Sequence, residues 1–186
     1  MGIQVTTGVQ YSGIWNISSQ ANAKAAGTWP SATSFNSYKL YAWGSDSYGQ
    51  LGFNNTTSYS SPQQVGALTN WSQVSGGFFS SFAVKNDGTL WSWGYNGYGQ
   101  LGLGNTTNYS SPKQVGALTS WLKVANGYGH TMAIKQDGTL WSWGWNISGQ
   151  LGLNNTSYYS SPKQVGSLTT WQTPEVGYYN AFAIRA

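Results

Sequence analysis

The sequence predicts an all-β protein made of β-propeller-type blades, and three observations carry this prediction. The chain of 186 residues contains three copies of one 50-residue repeat, without insertions or deletions between the copies. Each copy alternates short runs of strand-forming residues with turn residues. The composition, 16% aromatic and only 6% charged with 25 glycines, suits short strands and tight turns. We therefore expect an N-terminal arm over residues 1–36, followed by blade repeats over residues 37–186.

Tryptophan and glycine positions recur through the repeats at the same step of 50 residues. The three copies cover about residues 37–86, 87–136 and 137–186. We expect nine recurring positions to be structural, with the first three of them in the core. They are Trp43, Trp93, Trp143, Gly49, Gly99, Gly149, Trp71, Trp121 and Trp171. The tryptophans are expected to pack between blades, and the glycines are expected to form tight turns.

Each copy is predicted to contain four short strands. Within one 50-residue period, Phe82–Lys85 and Thr89–Trp93 form two strands joined by a tight turn at Asn86–Gly88, where the glycine accepts a positive φ. Two further strands are predicted at Gln114–Gly116 and Trp121–Val124. Four short strands in about 50 residues are the pattern of one propeller blade.

The first 36 residues lack the repeat and are predicted to form a separate arm. We expect extended structure and then a short helix over Gln20–Ala26, which Gly27 ends. The arm lacks the basic and apolar segments of an export signal. No apolar run in the chain is long enough to span a bilayer, so we expect no membrane insertion.

The polar residues argue against an enzyme. His130 is the only histidine, and Ser80 and Asn180 occupy its place in the other copies, which favours a structural role. Asp87 and Asp137 belong to Asp-Gly turns, and the turns account for them. Cysteine is absent, and no cluster of side chains has the spacing of metal ligands. We therefore predict no catalytic, cofactor-binding or metal site. Because the basic residues are scattered singly, we also predict no nucleic-acid partner.

The copies differ mainly in two loops, one after Gly77 and one after Trp93 with their equivalents. A recognition surface, if the chain has one, is predicted in these loops, because variable loops on a rigid scaffold carry binding residues. The alternative is neutral variation in tolerant loops. The candidate recognition residues are Phe78, Phe79, Tyr95, Tyr128, Trp145, Tyr178 and Tyr179.

The segments Gly127–Thr131, Asp137–Gly144 and Gly149–Gly152 together resemble the regulator of chromosome condensation repeat. The resemblance covers about residues 37–186, three times over. It implies a β-propeller, commonly of seven blades, in which glycines make close turns and tryptophans pack between blades. The founding member exchanges nucleotide on a small GTPase and binds chromatin, whereas others inhibit β-lactamase or act as plant photoreceptors. The resemblance therefore implies a fold and not one function.

A second resemblance lies in the arm. Tyr11–Gln20 followed by Ala26–Pro30 is similar to a segment of structural proteins from marine tailed phages. It implies a non-enzymatic virion protein, either a capsid decoration or a tail or fibre component. Residues 1–36 would attach it to other virion proteins, and the propeller would recognise a protein or a host-surface glycan. The alternative is a bacterial protein-binding or inhibitor propeller, outside the cell or in the bacterial cytoplasm.

Three copies are fewer than the four to eight blades that propellers normally need to close. The first copy lacks its opening strand, and the chain ends with a spare strand, Ala181–Ile184. We therefore expect a homo-oligomer built by strand exchange. Two chains would form a six-bladed ring, and a three-fold assembly is the alternative.

Overall fold

The computed structural model describes residues 38–186, so the arm over residues 1–36 and its expected helix at Gln20–Ala26 lie outside the described residues. The described residues form twelve β-strands and no helix, which confirms the all-β prediction. The strands are β1 (Tyr41–Gly44), β2 (Tyr59–Gln64), β3 (Trp71–Gly76), β4 (Ser80–Lys85), β5 (Leu90–Gly94), β6 (Tyr109–Gln114), β7 (Trp121–Asn126), β8 (His130–Lys135), β9 (Leu140–Gly144), β10 (Tyr159–Gln164), β11 (Trp171–Val176) and β12 (Ala181–Arg185).

The strands form antiparallel sheets that correspond to propeller blades. Two sheets are complete, with strand orders β3-β4-β5-β6 and β7-β8-β9-β10. The other two contain two strands each, β1-β2 and β11-β12. Neighbouring blades touch through their first strands, β3 against β7 and β7 against β11. These blades do not close into a ring, so residues 38–186 form an incomplete propeller.

The second and third strands of a complete blade form a tight hairpin, as the sequence predicts. Gly88 has a φ of +77°, and one carboxylate oxygen of Asp87 accepts hydrogen bonds from both the backbone and the hydroxyl of Thr89. The register pairs Phe82 with Ser92 across the hairpin. Strand β8 is buried at all six positions because the blades beside it cover both of its faces.

The last strand of the blade begins earlier than predicted. The structure places β6 at Tyr109–Gln114, whereas the sequence predicts a strand at Gln114–Gly116. The difference arises because Pro112 marks a loop by local rules, yet it lies inside this strand. Strand β6 is the outermost of its sheet, where a residue without an N–H group breaks no ladder hydrogen bond.

Close contacts between repeats occur at the recurring glycines. Gly49 and Gly99 have φ values of +78° and +74°, in the region that favours glycine. A Cβ on Gly49 would lie 2.4 Å from the Cα of Ser110, and a Cβ on Gly99 would lie 2.6 Å from the Cα of Ser160. Gly149 has the same backbone conformation, but a Cβ there would meet no atom within 4 Å. The tight approach therefore requires a complete neighbouring blade.

The predicted core position holds for two of the three equivalent tryptophans and is wrong for Trp43. Trp93 and Trp143 are buried, and their indoles donate hydrogen bonds of 2.8 and 2.7 Å to the backbone carbonyls of Gln50 and Gln100. Trp43 is 58% exposed. Each buried tryptophan packs on the repeat before its own, and no described repeat precedes the one that contains Trp43.

A second tryptophan series lies at the start of the first strand in each blade. Trp71 and Trp121 are buried, and Trp71 contacts Trp91 edge to face. The ammonium group of Lys85 lies 3.7 Å from the ring centre of Trp91 and 5.1 Å from that of Trp71. Trp171 is only half-buried because its sheet contains two strands instead of four.

Candidate recognition surface

The two variable loops of each blade lie at the same end of the sheet. In an antiparallel blade the first and third strands run in the same direction, so the loops that follow them share one end. The loops after β3 and β5 therefore lie together, and the turn at Asn86–Gly88 lies at the opposite end.

Ten aromatic side chains from these loops and the segments beside them form one connected surface, which we call the aromatic face. Its members are Tyr48, Phe78, Phe79, Tyr95, Tyr98, Tyr128, Trp145, Tyr158, Tyr178 and Tyr179. All seven candidate recognition residues are among them, so the structure brings together loops that are 50 or more residues apart in sequence.

The aromatic face crosses repeat boundaries through direct ring contacts. Tyr128 and Tyr178 stack with ring centres 4.2 Å apart and an angle of 19° between the rings. Phe78 lies 5.5 Å from Tyr128, and Phe79 lies 6.2 Å from Tyr95. Aromatic pairs at these separations stabilise one another beyond simple burial. The rings therefore hold one another in place.

The members of the aromatic face differ in exposure, and Trp145 requires a correction. Phe78 and Tyr179 are 61% and 56% exposed, so a partner can reach both rings. Trp145 was expected on the recognition surface, but it is buried. Its ring stacks on Tyr98 at 5.3 Å, and its indole donates a 2.6 Å hydrogen bond to the hydroxyl of Tyr158. Trp145 therefore supports the face from below.

Three members were not singled out from the sequence. Tyr48 lies 4.9 Å from Phe79, and Tyr98 lies next to Tyr128 and Trp145. Tyr48 and Tyr98 belong to the variable loop after the third strand of their blades. Tyr158 is aromatic where the other copies have Ser58 and Asn108. That departure from the repeat is the sequence signal by which Tyr158 could have been found.

The aromatic face is uncharged at neutral pH, because all ten side chains are Phe, Trp or Tyr. Loss of contact with water raises the pKa of Tyr98, with a further effect from Tyr128. Loss of water contact and a hydrogen bond with Tyr128 raise the pKa of Tyr178 to about 12. Glu175 is the exposed charged residue that precedes the last of these loops by a few positions. A ligand of this face would be recognised by apolar contact and hydroxyl hydrogen bonds.

His130 lies at the first position of β8, below the aromatic face. It is buried, and its Nε2 lies 3.3 Å from the backbone carbonyl of Asn180 in the next repeat. Burial lowers the pKa of His130 to about 4, so the imidazole is neutral at physiological pH. Within residues 38–186, no hydrogen-bond partner reaches Nδ1. The contact at Nε2 links two repeats.

The acidic residues of the turns lie at the opposite end of the blades. A hydrogen bond from the hydroxyl of Thr139 lowers the pKa of Asp137, and the backbone of Thr139 donates a second hydrogen bond. The turn thus places both hydrogen bonds on one oxygen of the carboxylate. Between Tyr38 and Ala186, no group of three or more His, Asp or Glu side chains is placed to hold a metal ion. Within the same range, no helix is long and apolar enough to cross a membrane.

The repeats match a known family model. The regulator of chromosome condensation (RCC1) repeat matches residues 39–84, 87–134 and 137–184, and a second model of the same repeat matches residues 71–100 and 121–150. The chain belongs to the RCC1 repeat family. This propeller fold is mostly a binding and regulatory fold, which indicates a protein-binding module. No curated protein matches the chain in sequence.

Solved structures of the same fold are found in eukaryotes. Human WBSCR16 is 24% identical over 78% of this chain, with a TM-score of 0.66. Prp20p from Saccharomyces cerevisiae, described with its binding to Gsp1p and histones, is 20% identical over 78% of the chain, with a TM-score of 0.67. Yeast RCC1 (Prp20) bound to Kap60 is 22% identical over 80% of the chain, with a TM-score of 0.65. The chain spans 38–39% of the length of these proteins.

Proposed function

We propose that the chain is a non-enzymatic recognition module that binds a partner protein through the aromatic face. The observation that carries this proposal is the connected set of rings contributed by successive repeats, with Phe78 and Tyr179 well exposed. A few residues carry most of the binding energy of a protein interface, and tryptophan and tyrosine are enriched among them. Because each ring is held by its neighbours, little side-chain freedom is lost when a partner binds.

The chemistry of the aromatic face favours a protein surface with apolar side chains. The ten rings carry no charge, so electrostatic attraction does not select the partner. Tyrosine hydroxyls at the edges of the rings can hydrogen-bond to a peptide backbone. The solved relative Prp20p binds Gsp1p and histones, which supports a protein partner for this fold. Sugar rings also stack on aromatic side chains. The experiment must therefore distinguish a host-surface glycan from a protein as the ligand.

The test compares substitutions at the two ends of the blades. The variant Phe78→Ser/Tyr179→Ser removes two exposed rings from the aromatic face. The matched control is Leu68→Ser/Leu118→Ser, which removes two exposed apolar side chains from the loops at the opposite end. Binding to surface proteins and to surface glycans of the source organism is measured by biolayer interferometry.

We expect the aromatic double variant to lose protein binding at least tenfold while the leucine control binds like the wild type. Equal binding by both variants would place recognition elsewhere. Binding to glycans alone, lost in the same variant, would replace the protein partner with a sugar.

We further propose that the module is a virion structural protein, a capsid decoration or a tail or fibre component. The segments Tyr11–Gln20 and Ala26–Pro30 support this proposal through their similarity to phage structural proteins. Purified particles from the source should contain the chain, and cryo-electron microscopy should locate it on them. A chain lacking residues 1–36 should fail to attach to the particles. Particles without the chain, together with a bacterial protein bound at the aromatic face, would support the bacterial binding or inhibitor module instead.

A further inference from the structure

We propose that two copies of this chain form a closed ring of six blades, in which the β1-β2 sheet of each copy completes the β11-β12 sheet of the other. The inference is independent of the proposed function. A complete blade has four strands, and each copy contributes two complete blades and two half-blades. The half-blades are complementary, because β11-β12 matches the first two strands of a complete blade and β1-β2 matches the last two.

The register of this joint follows from the complete blades. In the β7-β8-β9-β10 blade, Ala133 faces Trp141 across β8 and β9. The equivalent of Ala133 in β12 is Ala183, and the equivalent of Trp141 in β1 is Tyr41. Strands β12 and β1 should therefore pair antiparallel, with Ala183 of one copy opposite Tyr41 of the other. Both strands are edges among the described sheets, and edge strands readily pair with another chain.

The side chains of β12 are exposed where their equivalents are buried. Phe182 and Ile184 are 63% and 67% exposed. Phe82 and Ile134, at the same positions of complete blades, are fully buried. In complete blades the following blade covers these positions, because Phe82 contacts Trp143 and Ile134 packs with Trp171. The exposed residues thus have the chemistry of a blade interior, and the β3-β4-β5-β6 sheet of a second copy would cover them.

Hydrogen-bonding groups at the two half-blades also match. The backbone carbonyls of Gln50 and Gln100 each accept an indole hydrogen bond from the following repeat. Within residues 38–186, no indole donates to the equivalent carbonyl of Gln150. The exposed indole of Trp43 is the equivalent donor in the first repeat. Pairing β12 with β1 of a second copy brings this donor to that acceptor.

The contacts of the recurring glycines also support the pairing of the two half-blades. Gly49 and Gly99 sit against Ser110 and Ser160 in the last strand of the following blade. The equivalent position after Gly149 is taken by Ser60 of the second copy, in its strand β2. The open space beside Gly149 is therefore the space that β2 would fill.

The number of copies follows from the blades that residues 38–186 form. Two copies give six blades, which lies within the four to eight that close propellers contain. Three copies would give nine, outside that range. A second copy fits better than an unrelated protein, because the strand register, the indole donor and the serine all come from this chain.

Cysteine cross-linking tests the joint directly, because the chain contains no cysteine. A chain with Ala183→Cys is mixed with a differently tagged chain with Tyr41→Cys, and the mixture is oxidised. We expect a disulfide-linked species that contains both tags on a non-reducing gel. The matched control replaces Ala183→Cys with Ala181→Cys, which faces Trp43 in the same register and lies two positions from Tyr41. Equal cross-linking of the two pairs would overturn the register.

Association itself is measured by size-exclusion chromatography with light scattering on the full chain. We expect the mass of two chains for the wild type and a dissociation constant at least tenfold higher for Gly149→Ala, whose methyl group would meet Ser60. Gly116→Ala is the control, because Gly116 also has a positive φ and no atom within 4 Å of a Cβ. The mass of one chain at every concentration, or of three chains, would overturn the proposal. Unchanged association of Gly149→Ala would also contradict it.

Discussion

The indole of Trp143 donates a hydrogen bond of 2.7 Å to the backbone carbonyl of Gln100, which lies in the preceding repeat. The hydroxyl of Thr131 donates to the same carbonyl at 3.0 Å. One carbonyl oxygen therefore joins the β3-β4-β5-β6 blade to two strands, β8 and β9, of the next blade. This junction explains why the repeats depend on their neighbours for stability, as expected for repeat proteins.

Replacing Trp143 with phenylalanine should destabilise the protein. The change removes a buried hydrogen bond and leaves a cavity, so we expect the free energy of unfolding to fall by about 2–4 kcal/mol. Urea denaturation followed by tryptophan fluorescence or circular dichroism measures the loss. Ile147→Val, at an exposed position of the same repeat, should change stability by less than about 0.5 kcal/mol. Equal stability of the two variants would contradict the junction.

Replacing Gly99 with alanine should lower the stability of the protein by more than its backbone conformation alone predicts. A positive φ costs a non-glycine residue about 1–2 kcal/mol. The new methyl group would also meet the backbone of Ser160, which adds about 1–3 kcal/mol of overpacking. Gly116→Ala, with a positive φ and open space, measures the first effect alone. A thermal melt of both variants separates the two costs, and similar melting temperatures would argue against the inter-repeat clash.

Replacing Asp46 with asparagine should stabilise the protein. Asp46 stands where the other repeats have Asn96 and Asn146, and one carboxylate oxygen accepts from the backbone of Leu51 just as Asn96 accepts from Leu101. The other oxygen is buried without a partner. In Asn96 the amide nitrogen instead donates to the carbonyls of Asn105 and Thr107. Restoring such donors should raise the free energy of unfolding by about 1–3 kcal/mol at neutral pH.

The same substitution should change the response to pH. Burial raises the pKa of Asp46, against the opposing effect of the Leu51 hydrogen bond. A raised pKa means that the folded state binds the proton more tightly, so this group adds stability at low pH and loses it as the pH rises through the folded pKa. Denaturation curves over a pH series should show this dependence in the wild type and not in Asp46→Asn. The reciprocal variant, Asn96→Asp, should be destabilised at neutral pH and gain stability on acidification.

His130 should change the pH dependence of stability in the direction opposite to Asp46. Its pKa in the folded state is about 4 against an ordinary value of 6.5, so protonation favours the unfolded chain. Its contribution to stability is complete above pH 6.5 and falls by about 3 kcal/mol as the pH approaches 4. His130→Ser, which introduces the residue found at the equivalent position of the first copy, should remove this loss. Chemical denaturation of both proteins at pH 7 and pH 4.5 provides the measurement, and parallel losses of stability would exclude His130 as the cause.

The 50-residue period let the sequence predict most of the blade. The turn at Asn86–Gly88 and the strands around it follow from local residue preferences, which act over a few positions. The same preferences misplaced the strand through Pro112, because only its outermost position in the sheet makes proline acceptable there. The candidate recognition residues were predictable as variable loop positions, but their contacts across repeats were not.

What the sequence by itself determined is the repeat, its four strands and the glycines and tryptophans that recur with it. Only the tertiary structure decided which of those residues are buried. Trp43 and Trp93 occupy the same place in the repeat, yet one is 58% exposed and the other is buried, because burial depends on the neighbouring repeat. Trp145 is buried for the same reason, because Tyr98 of the preceding repeat stacks on its ring.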